Sequence, residues 1–323
     1  MQAIEITSTG GPEVLRLVER PDPEPGPGEL LVEVAAAGVN FIDTYQRSGL
    51  YEVALPFVPG LEAAGTVVAL GPGAEASGIA VGDRVAWCGV PGAYATVAVV
   101  PADRVVTVPD GIGPDVAAAV MLQGMTAHYL THDTFPVGPG HVCVVPAAAG
   151  GTGRLIVQLA RRRGATVIGA VGSAAKVDIA AGAGAHHVVD LSATGLAEGV
   201  EALVGRDAVD VVYDGVGAAT FEDDLRLLRI RGMLVTFGNA SGPVPPVPPL
   251  RLSAKSLYLT RPTLFHYIAG RDELVARADD LFAAVGAGEV EVLIGERHPL
   301  ADAAEAHRRL EGRATVGKIL LIP

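Results

Sequence analysis

His141-Val-Cys-Val-Val-Pro-Ala-Ala-Ala-Gly-Gly-Thr-Gly153 is the stretch on which the reading of the whole chain turns. Its first part, Val142 to Val145, is a short apolar and β-branched run, the pattern of a buried strand. A glycine-rich turn follows at once, and Arg154-Leu-Ile-Val-Gln-Leu-Ala-Arg161 then reads as a helix. The turn fits G-x-G-x-x-G with Ala148 in the first glycine place, Gly150 in the second and Gly153 in the third. Without a Cβ at Gly150, the backbone can approach a pyrophosphate. Gly153 lets the helix pack close to the strand, and the helix start at Gly151 and Thr152 offers free N–H groups to phosphate oxygens. A lone glycine turn is a weak signal, but here a second apolar strand, Thr166 to Ala170, follows at βαβ spacing. A dinucleotide site is therefore predicted over a turn that merely bends the chain.

With 323 residues the chain can form two domains of ordinary size. Half of it is apolar and 19% is charged, which supports a sizeable core and argues against disorder. No apolar run approaches the roughly 18 residues of a membrane helix. Met1 to Ile6 lacks the basic and apolar regions of an export signal. The two cysteines, Cys88 and Cys143, lie in apolar strand-like surroundings and read as buried free thiols. A cytoplasmic protein with no membrane association is expected. The net charge of −12 disfavours binding to nucleic acid. Arg161-Arg162-Arg163 is the dense basic cluster, and it falls at the predicted C-terminal end of a helix, where cations complement the dipole.

Outward from the turn, the chain changes character twice. Up to about Val100 it is rich in short strands (2–6, 14–19, 30–36, 63–70, 84–88 and 94–100), with one short helix over 41–47, which predicts a β-rich domain of barrel type. Helical stretches over 115–123 and 126–132 lead into the quoted strand. Strand and helix then alternate: strand 166–170, helix from about 174, strand 187–190, helix 196–204, strand 209–214, helix 220–230, strand 232–238 and a last strand 256–259. This predicts an α/β domain of Rossmann type, doubly wound around a mainly parallel sheet. The prolines between 243 and 249 read as a rigid loop. Helices over 272–285 and 301–311 and a strand over 318–322 are expected to return to the first domain. The predicted division is a catalytic domain over 1–122, a nucleotide domain over 123–264 and a return over 265–323.

At this point a resemblance becomes specific. Gly10-Gly-Pro-Glu-Val-Leu15, Gly38-Val-Asn-Phe-Ile-Asp-Thr-Tyr45, Arg47-Ser-Gly-Leu-Tyr51, the turn through Gly153 with Gln158 and Arg161, Tyr213-Asp-x-Val-Gly217, Phe237-Gly-Asn239 and Gly312-Arg-Ala-Thr-x-Gly317 run from end to end. Together they resemble the quinone oxidoreductase, or zeta-crystallin-like, group of the medium-chain dehydrogenase/reductase superfamily. The resemblance implies a discontinuous GroES-like catalytic domain beside the Rossmann domain. Zinc alcohol dehydrogenases of similar fold place a cysteine and a histidine where this chain has Asn40 and Leu61, and no metal site is expected. His128 and His132, at i, i+4 spacing, read as a helical pair and not as ligands.

NAD-specific folds usually place an acid about 20 residues beyond the glycine turn. Here Ala170-Val-Gly-Ser173 carries none, and Lys176 follows in what should be the first turn of a helix capped by Ser173. A cation there opposes the helix dipole, and the 2′-phosphate of NADPH would explain it. The resemblance adds Arg313 as a further phosphate contact and puts Leu191 where some members carry tyrosine. It also implies that Asn40, Asp43, Tyr45 and Tyr51 line the cleft facing the nicotinamide. Asn40 would hold a carboxamide or oxygen, the tyrosines would supply an apolar wall and a proton, and Asp43 at least a helix cap. Thr126, Phe237 and Asn239 resemble nicotinamide-side contacts, and Gln123 stands where relatives can carry lysine. The expected activity is zinc-independent hydride transfer from NADPH to a quinone. Alkenal or enoyl reduction, or a non-enzymatic role as an NADPH-sensing RNA-binding or structural protein, are the alternatives. A homodimer through strand 256–259 is expected, since that edge would otherwise be exposed.

Overall fold

An unalternated β-branched run can be stable only as a strand covered on both faces. The computed structural model, which describes residues 1–323, puts such runs at the centre of a sheet. Val209–Asp214 is wholly buried, and Val142–Val145 and Thr166–Val171 are buried apart from their first residues. These strands belong to one of two units into which the chain divides, Thr126–His266; the other comprises Met1–Met125 and Tyr267–Pro323.

In the Thr126–His266 unit six parallel strands lie in the order His187–Asp190, Thr166–Val171, Val142–Val145, Val209–Asp214, Leu228–Thr236, Tyr258–Thr260. Counted along the chain this is 3-2-1-4-5-6, the doubly wound order, whose direction reverses between Val142–Val145 and Val209–Asp214. Helices Gly151–Arg162, Val177–Gly182, Leu196–Val204 and Phe221–Leu227 lie in the connections. Val144, Ile168, Val200, Val212, Phe221 and Leu234 are among the residues of its core. The basic cluster ends the first of these helices, and Arg161 and Arg163 donate to the carbonyls of Gly184 (2.9 Å) and Val137 (2.8 Å).

The other unit is built on one long strand, Glu29–Val39. Its seven-stranded sheet runs Ile294–Pro299, Lys318–Ile322, Glu29–Val39, Glu62–Leu70, Arg84–Cys88, Val105–Thr107, with Val97–Pro101 also paired to Glu29–Val39. The C-terminal strand thus lies antiparallel beside residues near the N-terminus, Ile319 opposite Val39. Ile4, Leu30, Val32, Trp87, Tyr94, Ala306 and Leu321 share its core.

Several element boundaries differ from expectation. Helices 115–123 and 126–132 are one helix, Pro114–Tyr129, closed by a π turn over Leu130–Thr134. The expected helix 220–230 stops at Leu227, and the next strand begins at Leu228 and not at 232. There Leu228 pairs with Val209 and Met233 to Thr236 pair with Val211 to Asp214, the residues between them forming a bulge, and tertiary pairing overrides a helical periodicity. Strand 14–19 is shortened to Arg16–Glu19 by a 3-10 turn over Pro12–Val14, where Pro12 takes a first-turn position. The last nucleotide-sheet strand is Tyr258–Thr260, not 256–259, and strand Ile294–Pro299, polar and ending in proline, was not expected at all.

Candidate active site

The quoted stretch folds into strand, turn and helix. Gly150 is the N-cap of helix Gly151–Arg162, and no side chain caps that end. The first-turn N–H groups therefore end in bare backbone, the arrangement that attracts an anion. The two key glycines are there for different reasons. A Cβ at Gly153 would lie 2.3 Å from the carbonyl oxygen of Ala147, so this position is set by helix–turn packing. A Cβ at Gly150 would lie 3.3 Å from the same oxygen, a tight contact but far less severe than at Gly153, so packing demands glycine much less strictly here. Ala148, in the first glycine place, is buried and donates its N–H to Ala170 (3.0 Å), tying the turn to the second strand.

That second strand ends at Val171 with no carboxylate at its tip. Ser173 is extended (φ −161°, ψ 153°) and makes no side-chain cap. Lys176 closes a 3-10 turn, Ala174–Lys176, before helix Val177–Gly182, so it precedes the α-helix instead of lying within its first turn. Partial burial lowers the ammonium pKa. In the same unit, Phe237 donates its N–H to Asp214 (2.7 Å). The Asn239 carboxamide faces Gly238 and Arg261, its N–H toward the former carbonyl (3.0 Å) and its oxygen toward the latter's guanidinium (3.1 Å). Thr126 is buried.

The other unit holds a buried polar chain. Asn40 precedes helix Phe41–Ser48, and its backbone N–H donates to Asp43 Oδ2 (2.8 Å), so Asp43 does cap the helix. Tyr94 Oη donates to the same oxygen (2.8 Å), while Asp43 Oδ1 has no partner. Tyr94 Oη also meets His307 Nε2 (3.2 Å), and Arg47 Nη1 meets His307 Nδ1 (3.1 Å). Because arginine only donates, Nδ1 accepts and Nε2 carries the hydrogen, which leaves the tyrosine proton for Asp43. Arg47 in turn forks onto Glu311 (2.7 and 3.1 Å). Burial pushes the Asp43 carboxyl up to about 7, against the pull of its two donors and Lys318. Burial, helped by Arg47, holds the His307 imidazole down to about 3.

Beside this chain lies an ion pair, Lys318 with Glu62, both essentially inaccessible. Lys318 Nζ also donates to Asn40 Oδ1 (2.8 Å), Asn40 Nδ2 to Glu62 Oε1 (2.6 Å), and the Leu122 N–H to Glu62 Oε2 (2.7 Å). Gly38 makes room for it, since a Cβ there would lie 2.2 Å from Glu62 Oε1 and 2.6 Å from Lys318 Cε. The Asn40 carboxamide is thus engaged at both ends. Tyr45 and Tyr51 come together edge to face, centroids 5.2 Å apart, with Tyr45 buried and Tyr51 37% exposed. Arg313 belongs to this unit, in the loop after helix Ala303–Glu311, with a left-handed φ of 55°. Sequence reasoning missed Glu62, Tyr94, His307 and Lys318. Charges at Glu62 and Lys318, each opening an otherwise apolar strand, were the available signal.

Against known families, residues 26–110 match the alcohol dehydrogenase GroES-like domain and residues 151–284 the zinc-binding dehydrogenase domain. The chain is 46% identical to a quinone oxidoreductase of Salmonella typhimurium over 99% of both chains. It belongs to the quinone oxidoreductase, zeta-crystallin-like, family of the medium-chain dehydrogenase/reductase superfamily. A second relative in the comparison is a 2-haloacrylate reductase of Burkholderia sp, 40% identical over 100% of this chain and 99% of its own. Among solved structures of the family, Escherichia coli quinone oxidoreductase complexed with NADPH superposes with a TM-score of 0.97 at 42% identity and full coverage of both chains. The quinone oxidoreductase family fold accordingly assigns a GroES-like and a Rossmann-like part to this chain.

Proposed function

We propose that this protein is a zinc-independent oxidoreductase that uses NADPH to reduce quinones. The observation that carries the reading is the uncapped start of helix Gly151–Arg162, with glycine at 150, where packing demands it much less than at 153. A strand tip without a carboxylate, followed by Ser173 and Lys176, favours the 2′-phosphate of NADPH over a free ribose hydroxyl. The family relative crystallised with NADPH supports the same coenzyme. Bound NADPH supplies hydride from the nicotinamide; with one proton taken up beside it, a quinone gains two electrons and becomes a hydroquinone.

In this reading the chain's own groups orient the acceptor and deliver the proton. The paired rings of Tyr45 and Tyr51 suit a flat acceptor, and the more exposed Tyr51 hydroxyl is the proton donor. Asn40 serves as a fixed element of the wall, since both ends of its amide are occupied. No step is assigned to zinc. Asn40 and Leu61 offer neither thiolate nor imidazole, and the Lys318 ammonium already places a cation against Glu62.

A second reading, reduction of an α,β-unsaturated carbonyl, is favoured by the 2-haloacrylate reductase relative. Hydride would then go to the β-carbon and the proton to the α-carbon. A homodimer is proposed through strand Tyr258–Thr260, which pairs on one side only and leaves Tyr258 56% exposed. The test is NADPH oxidation against 1,4-naphthoquinone, 9,10-phenanthrenequinone and an alkenal, with NADH in parallel and with a chelator added. Quinone turnover that prefers NADPH and survives chelation supports the proposal. Turnover of alkenals alone transfers it to the second reading, and equal use of NADH removes the coenzyme assignment.

A further inference from the structure

The ion pair Lys318–Glu62 does more than neutralise itself: it dictates which way two neighbouring carboxamides face. Asn40 Oδ1 must point at the Lys318 ammonium, because the swapped amide would set N–H groups against a donor and its oxygen against the Glu62 carboxylate. With Asn40 so fixed, Gln123 can meet Asn40 Oδ1 only through its own nitrogen, Nε2, at 3.2 Å. The result is that Gln123 Oε1 is turned away, in a residue only 9% exposed, and it is left without any partner. A buried acceptor with no donor has given up its water without a replacement, a loss that a ligand hydrogen would relieve.

We infer that Gln123 Oε1 is an acceptor subsite that takes an O–H or N–H of the bound ligand, and that Lys318, Glu62 and Asn40 are positioning residues which hold it in that sense. The site would welcome the hydroxyl of a reduced acceptor and would repel the carbonyl oxygen of an oxidised one. This rests on the NADPH-dependent reduction proposed above. The same hydrogen could come from a hydroquinone hydroxyl or from the nicotinamide carboxamide, and the two are separable.

Inhibition constants of 1-naphthol and 1-methoxynaphthalene, which differ by one O–H, test the first source. Dissociation constants of NADPH and its reduced 3-acetylpyridine analogue, which lacks the amide N–H, test the second. All are measured on wild type, Gln123→Met and Gln123→Glu. In wild type the donor-bearing member of one pair should bind about tenfold more tightly, within the range for a buried hydrogen bond. Gln123→Met should abolish that preference. Gln123→Glu, which keeps an acceptor but loses the donor to Asn40, should retain it. If wild type distinguishes neither pair, or if Gln123→Met preserves the discrimination, the subsite is overturned. Absence of NADPH binding to wild type would instead remove the functional reading beneath it.

Discussion

The two units make their sites from opposite materials. In Thr126–His266 the site is backbone: thirteen consecutive residues, His141 to Gly153, form the strand and turn and open the helix whose N–H groups are left bare. In the unit of Met1–Met125 and Tyr267–Pro323 the site is side chains drawn from far apart, with Lys318 and Glu62 separated by 256 positions and Tyr94 and His307 by 213. A backbone site is fixed by absence, because a missing Cβ lets something approach. A side-chain site is fixed by mutual satisfaction, because each buried donor or acceptor constrains the next. The first should therefore fail by obstruction and the second by leaving a charge or polar atom unpartnered.

The largest effect on coenzyme binding is expected in the backbone site. Gly153→Ala forces a Cβ into the Ala147 carbonyl, and overpacking of this kind costs about 1–3 kcal/mol or more. Gly150→Ala should cost much less stability than Gly153→Ala yet weaken NADPH binding by about 100-fold, because its Cβ blocks the approach of the diphosphate. Thermal melts and coenzyme titrations of both variants separate packing from binding. Should Gly150→Ala bind NADPH as wild type does, the contrast between the units breaks.

In the side-chain site, Lys318→Met leaves the Glu62 carboxylate buried and unpaired, a loss of about 3–5 kcal/mol. The double variant Lys318→Met/Glu62→Leu should recover much of that stability, since an apolar pair of similar volume is often neutral. Denaturant unfolding of the single and double variants measures the difference, and equal destabilisation of both would show that the pair is not acting as a unit.

Asp43 sharpens the same contrast through pH. Its folded-state pKa, about 7, lies above the ordinary carboxylate value, so the fold favours the protonated form. That contribution is complete below about pH 4, where the unfolded group is also protonated, and is lost as pH rises through 7. Asp43→Asn keeps an acceptor for Asn40 and Tyr94 but cannot ionise. The melting temperature of wild type should thus fall relative to the variant between pH 5 and 7.5, and parallel profiles would remove Asp43 as the titrating group. His307 works in the opposite direction, its lowered pKa withdrawing stability as pH falls below about 6.5.

The smallest effect belongs to Lys176. Lys176→Ala should lower kcat/KM for NADPH about tenfold, the size of one charge-assisted hydrogen bond, and leave NADH unaffected. An equal loss with both coenzymes would show that the lysine serves the turn and not the 2′-phosphate.

Much of the nucleotide unit was legible because its information is local. Val142 to Val145, the glycines and Thr166 to Ala170 stand in chain order as they stand in space, and period and turn chemistry report them directly. The misplaced helix end near Ile230 and the unexpected strand Ile294–Pro299 are the exceptions, and both depend on a partner strand elsewhere in the chain. The sequence alone determined the parallel α/β order, the bare turn and the family. It also put Asn40, Asp43, Tyr45 and Tyr51 in one segment. Only the tertiary structure decided what surrounds them: that Asp43 meets Tyr94, that a lysine five residues from the last position lies against Glu62, and that Gln123 is left with an acceptor to spare. Hydrophobic periodicity records which face of an element is buried. It carries no record of which distant polar atom the burial will leave as a neighbour, because that pairing exists only once the sheet has closed around it.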